Sequence, residues 1–299
     1  MTSPAAPLPR LAQHGLAGPT ADDARRVLHH AAHADGRVPE RVWAEVCADA
    51  GVSADRHLLT VDQAEALADA MVAQPAAVGV AGHDFRVRVR SYRLLAQQEA
   101  AAEPRPRPFD AGYRTAGQLV RSRMPDDRRL SAIAALDLFS QENRSVLDLA
   151  AGRAVECLGG KVGLVTLVTE ISQHYVGHHG LAGWSAEAGG TPVEWAFCAT
   201  TVRRRELYVV PDASVDVHQR SNPLVTPGTA VSYAGVPLVT VDGHALGAVC
   251  VLDDLPLAPC PAQVAELEMI AVETLRTLEA ERDARARRTV VAARRVSRR

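Results

Sequence analysis

Five thiols and a knot of imidazoles are the side chains of this 299-residue chain with chemistry of their own. Cys47, Cys157, Cys198, Cys250 and Cys260 are odd in number and widely spaced, with no Cys-x-x-Cys pair. That pattern argues against a disulfide framework and against a structural zinc site, and fits buried apolar side chains or free thiols. Cys198 is the candidate for redox chemistry, because Arg203, Arg204 and Arg205 follow it and nearby cations favour the thiolate. His174, His178 and His179 crowd into QHYVGHHG. In a strand, imidazoles at i and i+4 do not converge as they do on a helix, so neither a metal nor a haem site is expected there.

The elements that must position these groups are legible around them. Val231 to Asp253 holds two β-branched apolar runs joined at Asp242-Gly243, the dipeptide that favours a two-residue hairpin. Before it, Trp195, Cys198 and Val202 fall at i, i+3 and i+7, one face of a short helix, and Leu207 to Val210 reads as a strand. Lys161 to Thr169 is a β-branched run short enough to be a central strand, with Gln173 to Gly177 returning beside it.

The blocks FC with Thr200-Thr201, ELYVVPDA and SYAGVPLVTVDGHALGAVCVLDD, in that order, resemble the second half of a GAF domain, the small-molecule sensor module of many bacterial signalling proteins. With the segment from about Asp137, the resemblance covers roughly half of the chain. It implies an α+β fold, an antiparallel sheet of about six strands flanked by helices. By position within those blocks it also implies a ligand pocket bordered by Trp195, Phe197, Cys198, Thr201, Asp212 and Tyr233. Apolar walls with a few polar groups would suit a small flat or mixed-polarity ligand. The alternative for the aromatic stripe is plain core, and for Asp212 a turn cap. Free-methionine-sulfoxide reductases share the family's fold, but the segment Asp212 to Ser232 lacks the cysteine they carry there, and Cys250 falls on a different strand. No NKFDE-like string of the cyclic-nucleotide-binding members occurs. The ligand and any cofactor stay unspecified, and the reading is a binding protein without catalysis of its own.

Upstream, Thr20 can cap a helix carrying Val27, Ala31 and Ala34; Pro39 opens a second with Val42, Trp43, Val46 and Cys47; Thr60 begins a third. Asp84 to Gln98 is a fourth, with Phe85, Val89 and Tyr92 on one face and Arg86, Arg90 and Arg93 on the other. These make a small all-α module. EPRPRPFDAG, Glu103 to Gly112, has alternating prolines that prevent helix. Arg128 to Phe139 and a helix from Ser145 to Gly159 lead into the sheet. Pro261 opens a last helix with the seam Val264, Leu267, Ala271, Leu275 and Leu278. Beyond it, eight arginines from Arg282 to Arg299 stand against Glu281 and Asp283. The expected organisation is therefore a mobile arm over 1–20, a helical module over 21–102, a Pro/Arg-rich linker over 103–127, a GAF-like domain over 128–283 and a basic tail over 284–299.

Composition agrees with this plan. The apolar share of 47% and charged share of 23% are those of a globular protein, and the net charge of −2 does not mark a nucleic-acid binder. No apolar run approaches the ~18 residues of a membrane span and no signal-peptide core is present, so a cytoplasmic protein is expected. Its expected partners are a small-molecule ligand, a second copy in a homodimer, and a signalling protein that carries the output. The runner-up functions are a thiol-based redox sensor or reductase acting through Cys198 and a nucleic-acid-associated regulator using the basic C-terminal tail.

Overall fold

The computed structural model describes residues 7–101, 127–225 and 230–296, with side chains to residue 289. Four helices come first: α1 (Ala21–Ala34), α2 (Pro39–Asp49), α3 (Val61–Val72) and α4 (Ala76–Ala101). Thr20 and Asp23 form a reciprocal capping box on α1, and Thr60 with Gln63 does the same on α3. α4 begins eight residues ahead of the expected start at Asp84. Its cap comes from the α1–α2 turn: Asp35 accepts from the N–H groups of Ala77 and Val78 at 3.0 and 3.2 Å. Gly82 lets its first turns cross against the α3 backbone, where a Cβ would overlap Val72. A cap some forty residues away and a packing glycine carry no local helix signal.

After α5 (Asp127–Leu136) and α6 (Gln141–Leu158) come β1 (Val162–Val168), β2 (Ser172–His179), the short helix α7 (Trp184–Ala188), β3 (Gly190–Pro192) and a 3-10 turn, Val193–Trp195. Then follow α8 (Phe197–Arg204), β4 (Tyr208–Val210), β5 (Ser232–Val239), β6 (Ala245–Asp253) and α9 (Pro261–Val296). The six strands form one antiparallel sheet in the order β3-β2-β1-β6-β5-β4. The expected α+β architecture is present, with a helical module in front of it.

The sheet has two covered faces. Val165, Leu167, Val236 and Val249 pack on α5, α6 and α9 through residues such as Ile133, Leu147, Ile270 and Leu275. α6 lies so close that a Cβ at Gly163 or Gly177 would overlap the α6 backbone. The opposite face, with Leu164, Tyr233, Ala248 and Cys250, is covered by α8.

Three expectations change. The β5–β6 connection is not a two-residue loop: only Gly243 has positive φ, at 82°, and Gly243 N–H donates to Thr240 O while Thr240 N–H donates to His244 O. This is a three-residue loop closed by a type I turn and a glycine bulge, which suits the same dipeptide. Of the residues read as a mobile arm, the described ones from 7 onward lie along α4: Leu11 and Leu16 are buried, Tyr92 Oη donates to Pro9 O at 2.8 Å, and Gln13 N–H donates to Glu99 at 2.8 Å. Finally, the helical module and the sheet share a core, because Ile171 in the β1–β2 turn is buried among Leu28, Leu67 and Phe85. The linker proposed over 103–127 lies outside the described residues except for Asp127.

Candidate ligand-binding site

Four of the six residues singled out from the sequence come together between α8 and the sheet, three from α8 and one from β5. Its eight residues place Phe197, Cys198 and Thr201 on its buried side, where each is at most 2% exposed. Tyr233 rises from β5 beneath them, and its ring stacks on Phe197 with centroids 5.2 Å apart at 14°. Tyr233 Oη meets Thr201 Oγ1 at 2.8 Å and donates to Cys198 Sγ at 3.3 Å. Cys198 Sγ in turn lies 3.5 Å from Cys250 Sγ. A phenol, a hydroxyl and two thiols thus form a closed hydrogen-bonded group inside an apolar layer, each bond worth about 1 kcal/mol net.

Trp195 and Asp212 are elsewhere. Trp195, on the 3-10 turn, points to the helical side, where it packs with Leu11, Leu16 and Leu95 and meets Trp184 edge-on at 6.0 Å. Asp212 closes a local turn, its Oδ1 accepting from Ser214 N–H at 2.9 Å and from Ser214 Oγ at 2.5 Å. The structure adds Cys250 and Thr166, which sequence spacing did not connect to Cys198. Cys250 and Thr166 face α8 from adjacent strands β6 and β1. Alternation along each strand would have placed them on one face, but only the pairing register sets them opposite Cys198.

Burial raises both thiols. At Cys198, hydrogen bonds with Cys250, Thr166 and Tyr233 outweigh it and hold the thiol below its ordinary value, while Cys250 stays well above. Cys198 is therefore the more acidic of the pair. The arginines expected to activate it do not: Arg203, Arg204 and Arg205 are exposed at the far end of α8, Arg204 standing 5.4 Å over the Tyr208 ring and Arg205 bonded to Gly243 O.

A second polar group sits where the helical module meets the sheet. Thr169 Oγ1 lies 2.7 Å from Asp84 Oδ1 and 2.9 Å from His174 Nε2, and Ser172 Oγ donates to Asp84 O at 2.8 Å. Burial pushes the Asp84 carboxyl up to about 7 and the His174 imidazole down to about 3. Beside them Arg88 Nη1 and Nη2 both reach Glu194, at 3.1 Å, and Arg26 and His30 clasp Glu170 at 2.9 and 2.8 Å. His178 and His179 lie toward the outer end of β2, away from His174, and among the described residues no group of three or more His, Cys, Asp or Glu converges as a metal site would.

Comparison with known proteins follows the sheet. Residues 142–276 match the family model described as GAF domain. A cyclic di-GMP phosphodiesterase of Pseudomonas aeruginosa is 27% identical over 163 residues, 51% of this chain but 27% of that protein, so the chain spans about a quarter of that relative's length. Among solved structures, a domain of a putative two-component sensor histidine kinase protein from Sinorhizobium meliloti is similar at 18% identity and a TM-score of 0.41, covering 50% of this chain and 99% of that one. The GAF domain from an Acinetobacter phosphoenolpyruvate-protein phosphotransferase is similar at 16% identity and a TM-score of 0.40, covering 56% of this chain and 90% of that one. With the antiparallel order of the sheet and the helices on its two faces, the family match identifies residues 142–276 of this chain as a GAF domain, a module common in sensor and signalling proteins.

Proposed function

We propose that this protein is a ligand-responsive regulator whose GAF domain takes a small molecule between α8 and the face of β5, β6 and β1. The observation that carries this reading is the group Cys198, Thr201 and Tyr233, polar side chains gathered at the centre of an otherwise apolar layer. A ligand there exchanges their mutual hydrogen bonds for its own, while Phe197 supplies an aromatic wall. Entry requires α8 and the 211–225 segment to yield, so Trp195, which joins α8 to the helical module, and Asp212, which shapes the start of that segment, act as positioning residues. Movement of α8 then reaches α4 through Trp195 and Glu194. Met269 and Val272, 56% and 48% exposed on α9, suit a homodimer seam that reads out the change. Output passes to a signalling partner. The five unpaired cysteines fit a cytoplasmic setting, and no helix among the described residues is long and apolar enough to cross a membrane.

Native mass spectrometry of the protein purified from its own host tests the reading. A small bound mass is expected, and Thr201→Val and Tyr233→Phe are expected to weaken its retention at least tenfold. An empty protein that no member of a metabolite library stabilises thermally rejects it.

One distance favours a second reading, a thiol switch: the 3.5 Å between Cys198 and Cys250 sulfurs. With a peroxide as oxidant, the Cys198 thiolate attacks a peroxide oxygen, giving the sulfenic acid and hydroxide or alkoxide. The Cys250 sulfur then displaces the sulfenic oxygen as water, so that two thiols lose two electrons and two protons to one peroxide. Peroxide treatment is expected to remove the mass of two hydrogens from the wild type and to leave a dimedone-trappable sulfenic acid in Cys250→Ser. If Cys198 and Cys250 both stay alkylatable after denaturation under conditions that oxidise exposed Cys260, this reading fails.

A further inference from the structure

A cavity lies away from the α8 cluster, at the seam between the helical module and the GAF domain. It measures about 220 Å³, and its walls come from α4, the α5–α6 connection with the start of α6, β2 and the end of α7. Three arginines line it, Arg86 and Arg90 from α4 and Arg144 from α6, together with the imidazoles of His83 and His174, and no lining residue is a carboxylate. Three acids touch the lining without joining it: Asp69 holds Arg86 at 3.0 Å, Asp148 holds Arg144 at 3.0 Å, and Asp84 lies 3.9 Å from His174 Nε2.

Two polar side-chain atoms beside this cavity, Arg86 Nε and Ser140 Oγ, are shut off from solvent and have no hydrogen-bond partner among the described residues. Ser140 is the N-cap of the 18-residue helix α6, yet its side chain caps nothing. The first-turn N–H groups of α6 therefore lack their side-chain acceptor at the same place where the arginines gather. His83 reports the resulting field. Burial lowers it first, and Arg86 and Arg90 lower it further, to about 4, while its ring lies flat on Phe139 at 3.9 Å. An imidazole that stays neutral beside arginines is a donor to an anion rather than a competitor for it.

We propose that this cleft binds a small tetrahedral oxyanion, inorganic phosphate or the phosphate of a small phosphomonoester. Arg86, Arg90 and Arg144 supply forked donors, and the start of α6 with Ser140 supplies the rest. The volume is below that of a drug-sized site, which limits an ester to a few carbon atoms. Because its donors come from both the helical module and the GAF domain, the anion would tie the two together.

Calorimetric titration of the full chain with inorganic phosphate, and separately with glycerol phosphate, tests this. Saturable one-to-one binding that weakens with added salt is expected, with Arg90→Ala, an exposed position whose loss leaves the core intact, weakening it about tenfold, and Arg144→Ala doing the same. In an NMR titration, filling the site is expected to shift the His83 pKa upward, because the anion offsets Arg86 and Arg90. Tighter binding of glycerol phosphate than of phosphate assigns the site to an ester, and the reverse order assigns it to the free anion. Absence of saturable binding by either probe overturns the proposal. So does binding that Arg90→Ala and Arg144→Ala leave unchanged with His83 unmoved. These results are independent of whether anything binds beneath α8.

Discussion

Arg88→Ala is expected to lower the unfolding free energy by about 3–5 kcal/mol, the range for removing one partner of a buried ion pair. Arg88 is 3% exposed, and the carboxylate it holds, Glu194, is 18% exposed. Its two terminal nitrogens make three contacts of 3.1 to 3.2 Å with that carboxylate, so truncation removes the forked partner of a largely desolvated anion at the seam. Arg93, five positions further along α4, 42% exposed and paired with Glu65, is the control, and Arg93→Ala is expected to cost less than about 1 kcal/mol. Urea unfolding followed by circular dichroism measures both. The double variant Arg88→Met with Glu194→Leu is expected to recover most of the loss, because the pair's desolvation cost disappears with it. If Arg88→Ala costs under 1 kcal/mol, the pair does not anchor the helical module to the GAF domain.

The second large effect depends on pH. Asp84 is fully buried, and burial lifts its carboxyl from 3.8 to about 7 against the hydrogen bonds from Thr169 and Ile171. Its folded value lies above its unfolded value, so the folded state retains a proton that the unfolded state has already released. The stability this contributes is fully present below about pH 4 and is lost as pH rises to about 7, with each unit of separation worth about 1.4 kcal/mol. The groups facing Asp84 are His174, Thr169, Ser172 and Glu170. His174, lowered to about 3, has the opposite sign: its contribution is lost as pH falls through the window from 6.5 down to 3. His83, lowered to about 4, behaves likewise. Comparing wild type with Asp84→Asn removes these opposing terms, since asparagine has the charge of the protonated acid. The two proteins are expected to match near pH 4, and Asp84→Asn to be the more stable by a few kcal/mol at pH 8. Parallel stability curves across that range would show that Asp84 stays ionised in the folded protein.

Much of the GAF domain was legible in the chain. Its strands are β-branched runs whose alternation is local, α6 stops at Gly159 because an αL cap suits glycine, and Asp242-Gly243 marks the β5–β6 turn. The loop's length was off by one, because a single positive φ at Gly243 suffices for the bulged form. In the helical module, Thr20, Pro39 and Thr60 start helices where their side chains predict. The early start of α4 was hidden, because Asp35 caps it from another helix and Gly82 makes room for it. The site divides the same way. Phe197, Cys198, Thr201 and Tyr233 sit together, as positions three and four apart on a helix over a strand can. Trp195 and Asp212 do not join them: the break from 3-10 turn to α8 at Ala196 rotates Trp195 toward the other module, and Asp212 is consumed by its own turn.

What the sequence determined by itself is therefore what short-range physics writes: apolar period, caps, turn residues, and the order of blocks that carries the GAF fold. Only the tertiary structure decided the rest. Strand register set Cys250 opposite Cys198; the β1–β2 turn drove Ile171 into the helical core; Asp84, Arg88 and the arginine-lined cleft acquired their partners from residues 80 or more positions distant or from a neighbouring helix end. Such pairings depend on burial and on the relative placement of elements, and a carboxylate or a thiol has the same appearance in a sequence whether water or another side chain surrounds it.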